Sequence, residues 1–423
     1  MFTSLRPAMA ALLLLAQGGV LAAELSAEPL SLAEAERRAL SFDAGVKATQ
    51  AEAQALREQA VADAQLPDPA LTLGAMSVPV DSFNRRDEPM TQLSVGVAQA
   101  FPPGATLEHQ AARTTHMAGA ADAEGEARVR ELLRDVRMAY LEAGYQESAL
   151  AQIDATNAVF DDILDITRSL YRTGKNNLQD VLSAQLERAL LDDRKAAVLT
   201  ERAAALAELQ RWTGPLGADI RWPETAPELT APPDSAQLLT RLDAHPLILA
   251  ASQRVAAGQS AVEVARQQYK PGLMLDVSYG DRTGNEPDGM RRSDLLTAMV
   301  TVDMPLFPGK RQDRRVAASV AEADALRHAR DNVHRDLQRM LDTEYPRWQR
   351  LQEREQIYAR DILPAARNNA EAALSAYRNG VTDFTALMRA QLADLDSRLQ
   401  SLRTRTDRLQ TQARLLYLAG DDS

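Results

Sequence analysis

The sequence predicts a mostly α-helical fold with a small β part, in which one unit of helices and strands occurs twice in tandem. Three observations support this prediction. Aromatic residues make up only 4% of a chain rich in Ala, Leu, Gln, Arg and Glu, a composition typical of long helices and coiled coils. Short motifs recur in the same order roughly 200 residues later. Each copy also contains stretches of alternating apolar and polar residues, the period of a β-strand.

The composition of the 423-residue chain excludes several function classes. Lys and Arg number 48 against 59 Asp and Glu, which gives a net charge of −11. Nucleic-acid binding depends mainly on cationic contacts to phosphate, so this charge argues against a nucleic-acid partner. The chain has no Cys, and this excludes disulfides, cysteine nucleophiles, thiolate metal sites and a lipid attached to an N-terminal cysteine.

Residues 1–23 have the pattern of a secretory signal peptide. Arg6 precedes an apolar run from Met9 to Ala16, and small residues precede the predicted cleavage after Ala22 or Ala23. The apolar run is too short to span about 30 Å of hydrocarbon as an anchor. We therefore expect the mature protein to be exported.

The rest of the chain is a tandem duplication. Tyr171-Arg172-Thr173-Gly174 recurs 206 residues later as Tyr377-Arg378-Asn379-Gly380. We expect a first repeat over residues 24–212 and a second over residues 235–420. The connector between them, residues 213–234, is rich in proline, which disfavours a helix interior.

The two repeats share one order of elements. A helical stretch comes first, Ser31–Gln65 and then Ser235–Gln268. A β-hairpin follows, over residues 70–101 and residues 272–307, with strands of about the 9–10 residues that a tilted membrane strand needs. A long helical hairpin ends each repeat, and its tip lies near residue 174 and near residue 380.

Helix lengths predict how the helices pack. The segment from Gly104 to Leu170 would be about 100 Å long as a helix, whereas Asn176–Trp212 and Ser31–Gln65 would each be about 50 Å. One long helix therefore matches two shorter helices placed end to end, as the wall of a helical barrel requires. The last helix carries an apolar heptad row: Met388, Leu392, Leu395, Leu399, Leu402, Leu409 and Leu416. An ordinary antiparallel coiled coil would explain this row equally well.

The strands favour a trimer. Four strands from one chain cannot close a barrel and would leave two exposed edges. Three copies would supply twelve strands for a transmembrane β-barrel, and their long antiparallel helices would form an α-barrel below it. The sequence thus predicts a homotrimer that closes both barrels.

With these elements in order, the sequence resembles the TolC family of outer-membrane efflux proteins. Besides the two Tyr-Arg-x-Gly repeats, the resemblance rests on Leu30-Ser31-Leu32-Ala33-Glu34-Ala35, His245-Pro246-Leu247-Ile248, Tyr269-Lys270-Pro271-Gly272-Leu273 and Val302-Asp303-Met304-Pro305-Leu306-Phe307-Pro308-Gly309-Lys310-Arg311. Within the family, Asp68-Pro69, Val78–Phe83 and Glu88–Thr91 look most like the heavy-metal (CzcC/CusC-like) branch.

The resemblance implies a passive trimeric conduit through the outer membrane and periplasm of a Gram-negative cell. Such a conduit would contact outer-membrane lipid, and its α-barrel would be periplasmic. It would dock with a periplasmic adaptor (membrane fusion) protein and with an inner-membrane pump of the RND type. It would export solutes, with heavy-metal cations as one candidate cargo.

The helical tips carry the candidate site residues. Glycine permits the positive φ of a tight helix reversal, and in similar proteins this turn meets the adaptor. The expected adaptor contacts are Tyr171, Arg172, Gly174, Lys175, Tyr377, Arg378 and Gly380. The alternative is that the glycines only make the turn.

Acidic residues next to the tips are candidates for a tunnel gate. The family often narrows its tunnel with rings of Asp, and Asp180 lies six residues after the first tip glycine. The equivalent position after the second glycine is Ala386, so Asp383 is the substitute candidate. In a trimer each Asp would form a ring of three like charges that attracts cations. An ordinary solvated helix face explains both residues equally well.

No catalytic motif and no cofactor-binding or metal-binding motif is found in the sequence, so we expect no enzyme activity. The pairs His109/His116 and His328/His334 have spacings that do not suit a metal site on a helix. Two alternatives to an efflux channel remain. One is a soluble periplasmic coiled-coil adaptor or scaffold, and the other is the same channel serving type I protein secretion.

Overall fold

The computed structural model describes residues 29–175, 177–217, 220–223, 225 and 227–420. The predicted signal peptide and Asn176, the predicted start of a helix, lie outside the described residues. Among the helices of the described part, none is both long and apolar enough to cross a membrane.

The chain folds in the predicted order. The first repeat consists of α1 (Leu32–Phe42), α2 (Ala44–Asp63), β1 (Ala70–Met76), β2 (Gln92–Phe101), α3 (Thr106–Arg172) and α4 (Leu178–Thr213). The second consists of α5 (Ser235–Arg241), a 3₁₀ turn (Leu242–Ala244), α6 (Pro246–Gln267), β3 (Gly272–Arg282), β4 (Leu295–Asp303), a 3₁₀ turn (Pro308–Lys310), α7 (Gln312–Ile357), a π-helical turn (Tyr358–Ile362), α8 (Leu363–Arg378) and α9 (Phe384–Ala419).

The opening helix of each repeat is broken, and the prediction of one continuous helix was wrong in both. In the first repeat Asp43 leaves the helical conformation, and its Oδ1 accepts a hydrogen bond of 2.7 Å from the Val46 N–H. In the second repeat the break falls at His245, because the residue before Pro246 is disfavoured in the helical region. His245 lies 202 residues after Asp43, so the breaks are equivalent in the duplication.

The four strands form one antiparallel sheet in the order β1-β2-β3-β4. The register places Leu73, Val95, Tyr279 and Leu296 in a single row across the sheet. The two hairpins therefore join through β2 and β3, although these strands are far apart in sequence. β1 and β4 lie at the edges.

The long helix α3 is flanked by two shorter helices placed end to end. Along its first half α3 packs against α2, where Arg57 pairs with Asp122 at 2.5 Å. Along its second half it packs against α4, where Arg202 pairs with Glu147 at 2.5 Å. Near the junction Arg128 of α3 binds Asp43 at 2.8 Å. The length match predicted from the sequence is thus present in the fold.

Two prolines in the second long helix have different effects. Pro346 lies inside α7 without ending it. Pro364 is the second residue of α8, which begins directly after the π-helical turn Tyr358–Ile362. Proline cannot donate the usual helical hydrogen bond, and a π turn is one way in which a helix absorbs that loss.

Within the described residues, three clusters of buried side chains hold the helices together. The first joins α1, α2 and α4 to the middle of α3, and the third joins α5, α7 and the end of α9. The second cluster lies next to the tips, where Phe160 and Ile163 of α3 pack with Leu387 and Met388 of α9. This second cluster fixes the position of one helical hairpin on the other.

Candidate functional site: the helical tips and the sheet

The first tip is a tight helix reversal built on Gly174. The backbone φ of Gly174 is +71°, a value that costs other residues energy. Its N–H donates to the Tyr171 carbonyl at 3.0 Å, and the Lys175 N–H donates to the Leu170 carbonyl at 2.9 Å. This pair of bonds is the Schellman motif, which satisfies the last carbonyls of α3.

The second tip repeats this geometry. Gly380 has φ +69° and donates to the Tyr377 carbonyl at 3.0 Å, while the Val381 N–H donates to the Ala376 carbonyl at 2.9 Å. At both glycines an added Cβ would meet no atom within 4 Å. The glycines are therefore required by the backbone conformation and not by lack of space.

Each returning helix begins with a side-chain cap. The Asn177 side chain accepts a hydrogen bond from the Asp180 N–H at 2.9 Å, and the Asp383 side chain accepts one from the Ala386 N–H at 2.7 Å. The offset of 206 residues makes Asp383 the equivalent of Asn177 and not of Asp180. One of the two predicted gate residues thus has a clear structural role, since a cap satisfies an otherwise free helical N–H.

Asp180 and Asp383 nevertheless lie within electrostatic reach of each other. The pKa of the Asp180 carboxyl is raised above its usual value, first because the group is partly buried and then because the negative charge of Asp383 opposes its ionisation. Each tip of one chain therefore contributes one carboxylate to the same region of the protein.

The two tip tyrosines occupy different environments. Tyr171 is 44% exposed, whereas Tyr377 is 3% exposed. The Tyr377 hydroxyl lies 3.1 Å from Thr167 Oγ1, and its ring meets Phe384 edge-on at 6.0 Å between centroids. The predicted role of Tyr377 as an adaptor contact does not suit its burial. Its side chain instead fastens the second tip to α3.

The remaining predicted contacts lie on the surface. Arg172, Lys175 and Arg378 are exposed around the two glycine turns. They give the tips three positive charges, of which the Arg172 guanidinium also donates a hydrogen bond to the Arg168 carbonyl at 3.4 Å. The structure therefore leaves these three side chains available to a partner.

A feature of the tip that the sequence analysis missed is a row of leucines on α4. Leu178, Leu182, Leu186 and Leu190 are all exposed. Their spacing of four residues was visible in the sequence and places them along one side of the helix. Without the fold, however, nothing distinguished them from leucines that pack inside the chain.

The sheet has two different faces. The row formed by Leu73, Val95, Tyr279 and Leu296 lies on one face, and the row formed by Thr72, Gly96, Ser278 and Thr297 lies on the other. The apolar side chains are exposed in the single chain. An apolar face of this kind suits a lipid surface, and a face of small and polar residues suits water.

Two of the four histidines considered as a metal site contact other side chains. His116 Nδ1 lies 2.9 Å from Gln253 Oε1, and His334 Nε2 lies 3.4 Å from Asp243. Over the part of the chain that the structure covers, no group of three or more His, Asp or Glu side chains could hold a metal ion.

Comparison with known proteins agrees with this arrangement. The family model described as "Outer membrane efflux protein" matches residues 36–215 and 240–421. No curated protein matches the sequence.

Solved structures share the fold at low sequence identity. The outer-membrane channel OprN has a TM-score of 0.78 at 19% identity, covering 92% of this chain and 89% of its own. VceC of Vibrio cholerae has a TM-score of 0.76 at 17% identity, covering 92% and 96%. CusC has a TM-score of 0.75 at 15% identity, covering 92% and 91%.

Proposed function

The chain belongs to the outer membrane efflux protein family, and on that premise we propose that three copies of it form one continuous conduit. The protein is an efflux channel of the outer membrane that extends into the periplasm. Membership sets aside the alternative of a soluble adaptor or scaffold. The proposal concerns its assembly, its partners and its cargo.

The trimer is proposed because the sheet of one chain has two unpaired edges. β1 and β4 are edge strands of a four-stranded sheet whose two faces differ in polarity. Edge strands of this length present free backbone donors and acceptors, which cannot stay unpaired in lipid. Pairing β4 of one copy with β1 of the next satisfies both edges, and three copies give a twelve-stranded barrel. The apolar face would then meet lipid and the polar face would line the channel.

The tips are the proposed contact with a periplasmic adaptor. Arg172, Lys175 and Arg378 offer exposed charges around the turns made by Gly174 and Gly380. Two Schellman motifs fix the backbone that carries these side chains, so a partner would meet preformed turns. Tyr171 adds an exposed ring, whereas Tyr377 would contribute by holding the second tip in place.

Asp180 and Asp383 are the proposed gate. Three copies would bring six carboxylates to the narrow end of the conduit. Partial burial raises the pKa of Asp180, and the charge of Asp383 raises it further, which supports placing the two carboxylates within electrostatic reach of each other. A ring of such groups attracts cations and repels anions. Ala386 leaves the second hairpin without the carboxylate that Asp180 provides in the first.

We also propose the class of inner-membrane pump and the class of cargo. An adaptor and a pump of the RND type would supply the energy, since a passive conduit has none of its own. Heavy-metal cations are the proposed cargo, and the acidic gate residues would suit them. Protein secretion through the same channel is the alternative that a different pump would bring.

Fractionation of cells that express the full chain tests the trimer. We expect the protein in the outer-membrane fraction, and an unboiled sample should migrate at about three times the 46.3 kDa monomer. The boiled sample is the control and should migrate as a monomer. A monomer or dimer released into the soluble periplasm would overturn the proposal.

Charge reversal at the tips tests the adaptor contact. We expect the double variant Lys175→Glu with Arg378→Glu to abolish export. Its unboiled sample should still migrate as a trimer. Arg350→Glu is the matched control, because Arg350 is exposed on α7, outside the tips. Export equal to that of the control would refute the role of these charges.

A further inference from the structure

The segment between β4 and α7 exposes large apolar side chains. Met304, Leu306 and Phe307 are 65%, 67% and 88% exposed. Met304 lies two residues after Val302, which shares one face of β4 with Leu296. The apolar face of the sheet therefore continues beyond the end of the strand, and the exposed ring of Phe307 follows it.

A cluster of cations lies at the same junction of sheet and helix. Four cations lie at or just before the start of α7 and a fifth lies just before β3: Lys310, Arg311, Arg314, Arg315 and Lys270. All five are exposed, and within the described residues none of them forms an ion pair. The Tyr269 hydroxyl donates to Asp313 Oδ1 at 2.6 Å, which places the fifth cation beside the start of α7. We refer to Phe307 and these five cations as the junction surface.

The duplication shows that the fold does not require this surface. The residues 205 positions before the four cations of α7 are Ala105, Thr106, His109 and Gln110. The first repeat nevertheless makes the same transition, from β2 into α3. Pro102 is the equivalent of Phe307, so the first repeat also lacks the exposed ring. The net charge of the chain is −11, and a cluster of positive charge is therefore a local feature of the second repeat.

In the proposed barrel the junction surface lies where the hydrocarbon of the membrane ends. β3 and β4 have 11 and 9 residues, about the length that crosses a membrane when a strand is tilted. The helices extend into the periplasm, so the helical end of these strands is the periplasmic end. Aromatic side chains favour this boundary, and Lys and Arg at it attract anionic headgroups.

We propose that the junction surface binds a phospholipid with an anionic headgroup, of the phosphatidylglycerol class, in the periplasmic leaflet of the outer membrane. This inference rests on the proposed barrel. It goes beyond that barrel because an apolar sheet face does not distinguish one headgroup from another. Arg311 and Arg315 lie one helical turn apart on the same side of α7, so one headgroup can meet both. A guanidinium group binds phosphate through two parallel hydrogen bonds.

Lipid binding to the purified trimer tests the proposal. The trimer of the full chain in a non-ionic detergent is titrated with phosphatidylglycerol or with zwitterionic phosphatidylethanolamine that has the same acyl chains. Native mass spectrometry counts the bound lipids. We expect phosphatidylglycerol to bind about tenfold more tightly, because only its headgroup has a net negative charge. Equal affinity for the two lipids would overturn the proposal.

Neutral substitution of the cations should remove most of this preference. The test variant combines Lys310→Gln, Arg311→Gln, Arg314→Gln and Arg315→Gln. The matched control has four substitutions of exposed cations farther along α7, Arg335→Gln, Arg339→Gln, Arg347→Gln and Arg350→Gln, and should keep the preference. A third variant with Lys at the three Arg positions of the junction should also keep it, since the charge is retained. The same preference in the test variant and the control would refute the role of the junction cations.

The exposed ring has a separate signature. Phe307→Ala should weaken the binding of both lipids by a similar factor, because the ring contacts the apolar part of the lipid and not its charge. Unchanged affinity for both lipids would show that the ring takes no part in the site.

Two other occupants of the junction surface give different results. Displacement of phosphatidylglycerol by a large excess of inorganic phosphate would identify a site for free phosphate and overturn the lipid proposal. Carboxylates of a second copy would be identified by a loss of SDS-resistant trimer in the test variant, together with no lipid preference in the unmodified trimer. Absence of any trimer of the unmodified chain from the outer membrane would instead overturn the proposed function on which this inference rests.

Discussion

Removing the Tyr377 side chain should loosen the second tip. Tyr377 is buried between α3 and α9, where its ring contacts Phe384 and its hydroxyl lies 3.1 Å from Thr167 Oγ1. These contacts connect the two helical hairpins close to Asp180 and Asp383. The perturbation Tyr377→Ala deletes all of them while it leaves the Gly380 turn in place.

The expected cost follows from the two parts of the side chain. Truncation of a buried aromatic ring to Ala costs about 3–5 kcal/mol. Tyr377→Phe removes only the hydroxyl, and one neutral hydrogen bond contributes about 0.5–1.5 kcal/mol. The lower end of that range applies, because the Thr167 hydroxyl keeps its bond of 2.8 Å to the Ile163 carbonyl. Tyr377→Phe should therefore have a much smaller effect than Tyr377→Ala.

Hydrogen exchange measured by mass spectrometry on the detergent-solubilised trimer can follow this change. A loss of 3 kcal/mol corresponds to exchange about 100-fold faster for amides that open locally, since about 1.4 kcal/mol is a factor of ten. The relevant peptides cover residues 373–391. Tyr377→Phe should accelerate their exchange only a few-fold. The exposed neighbour Arg378 supplies the control, and Arg378→Ala should leave exchange unchanged.

Exchange in Tyr377→Ala within threefold of the unmodified protein would refute the reasoning. It would mean that the contact between α3 and α9 is maintained by the other residues of the cluster. Equal acceleration in Tyr377→Ala and Arg378→Ala would refute it differently, because the effect would then belong to the turn and not to the buried ring.

Three further predictions concern the tip and the opening of the second repeat. Gly380→Ala should destabilise the tip by about 1 kcal/mol through its positive φ alone, and Gly380→Asn by less, in denaturant unfolding of the purified protein. An equal loss of unfolding free energy in Gly380→Ala and Gly380→Asn would contradict the explanation from the positive φ. The fold raises the pKa of Asp180, so its charged form is disfavoured and stability falls as pH rises above 3.8. Asp180→Asn should therefore have a higher melting temperature than the unmodified protein at pH 7 and the same melting temperature near pH 3. A difference in melting temperature that is equal at both pH values would argue against the carboxylate pair. Burial lowers the pKa of the His245 imidazole from 6.5 to about 4. The neutral imidazole should therefore contribute about 3 kcal/mol to the free energy of unfolding above pH 6.5, and this contribution should be lost as the pH falls from 6.5 to 4. The pH dependence of unfolding should weaken in His245→Gln, and an identical slope would contradict the assignment.

Local sequence patterns were sufficient for most elements of the fold. Alternation of apolar and polar residues located the strands, because side chains of a strand point alternately to its two faces. The glycines of the two Tyr-Arg-x-Gly motifs located the tips, since the positive φ at Gly174 and Gly380 is a property of the backbone itself. Both signals act within a few residues, so they can be recognised without knowledge of the fold.

Other parts of the site depended on long-range contacts. The helix break at Asp43 could not be distinguished from a solvated acidic residue until the fold placed its carboxylate 2.8 Å from Arg128. The role of Asp383 as a helix cap depended on the point at which α9 begins. The proximity of Asp180 to Asp383 required the two hairpins to be packed together.

The two tip tyrosines show the division most clearly. The sequence by itself determined that Tyr171 and Tyr377 occupy the same position in equivalent turns, because each lies three residues before a glycine with positive φ. Only the tertiary structure decided that one is buried and the other exposed. The physical reason is the order of the repeats along the chain. The second hairpin packs against the first, whereas the outer face of the first hairpin has no neighbour among the residues that the structure describes.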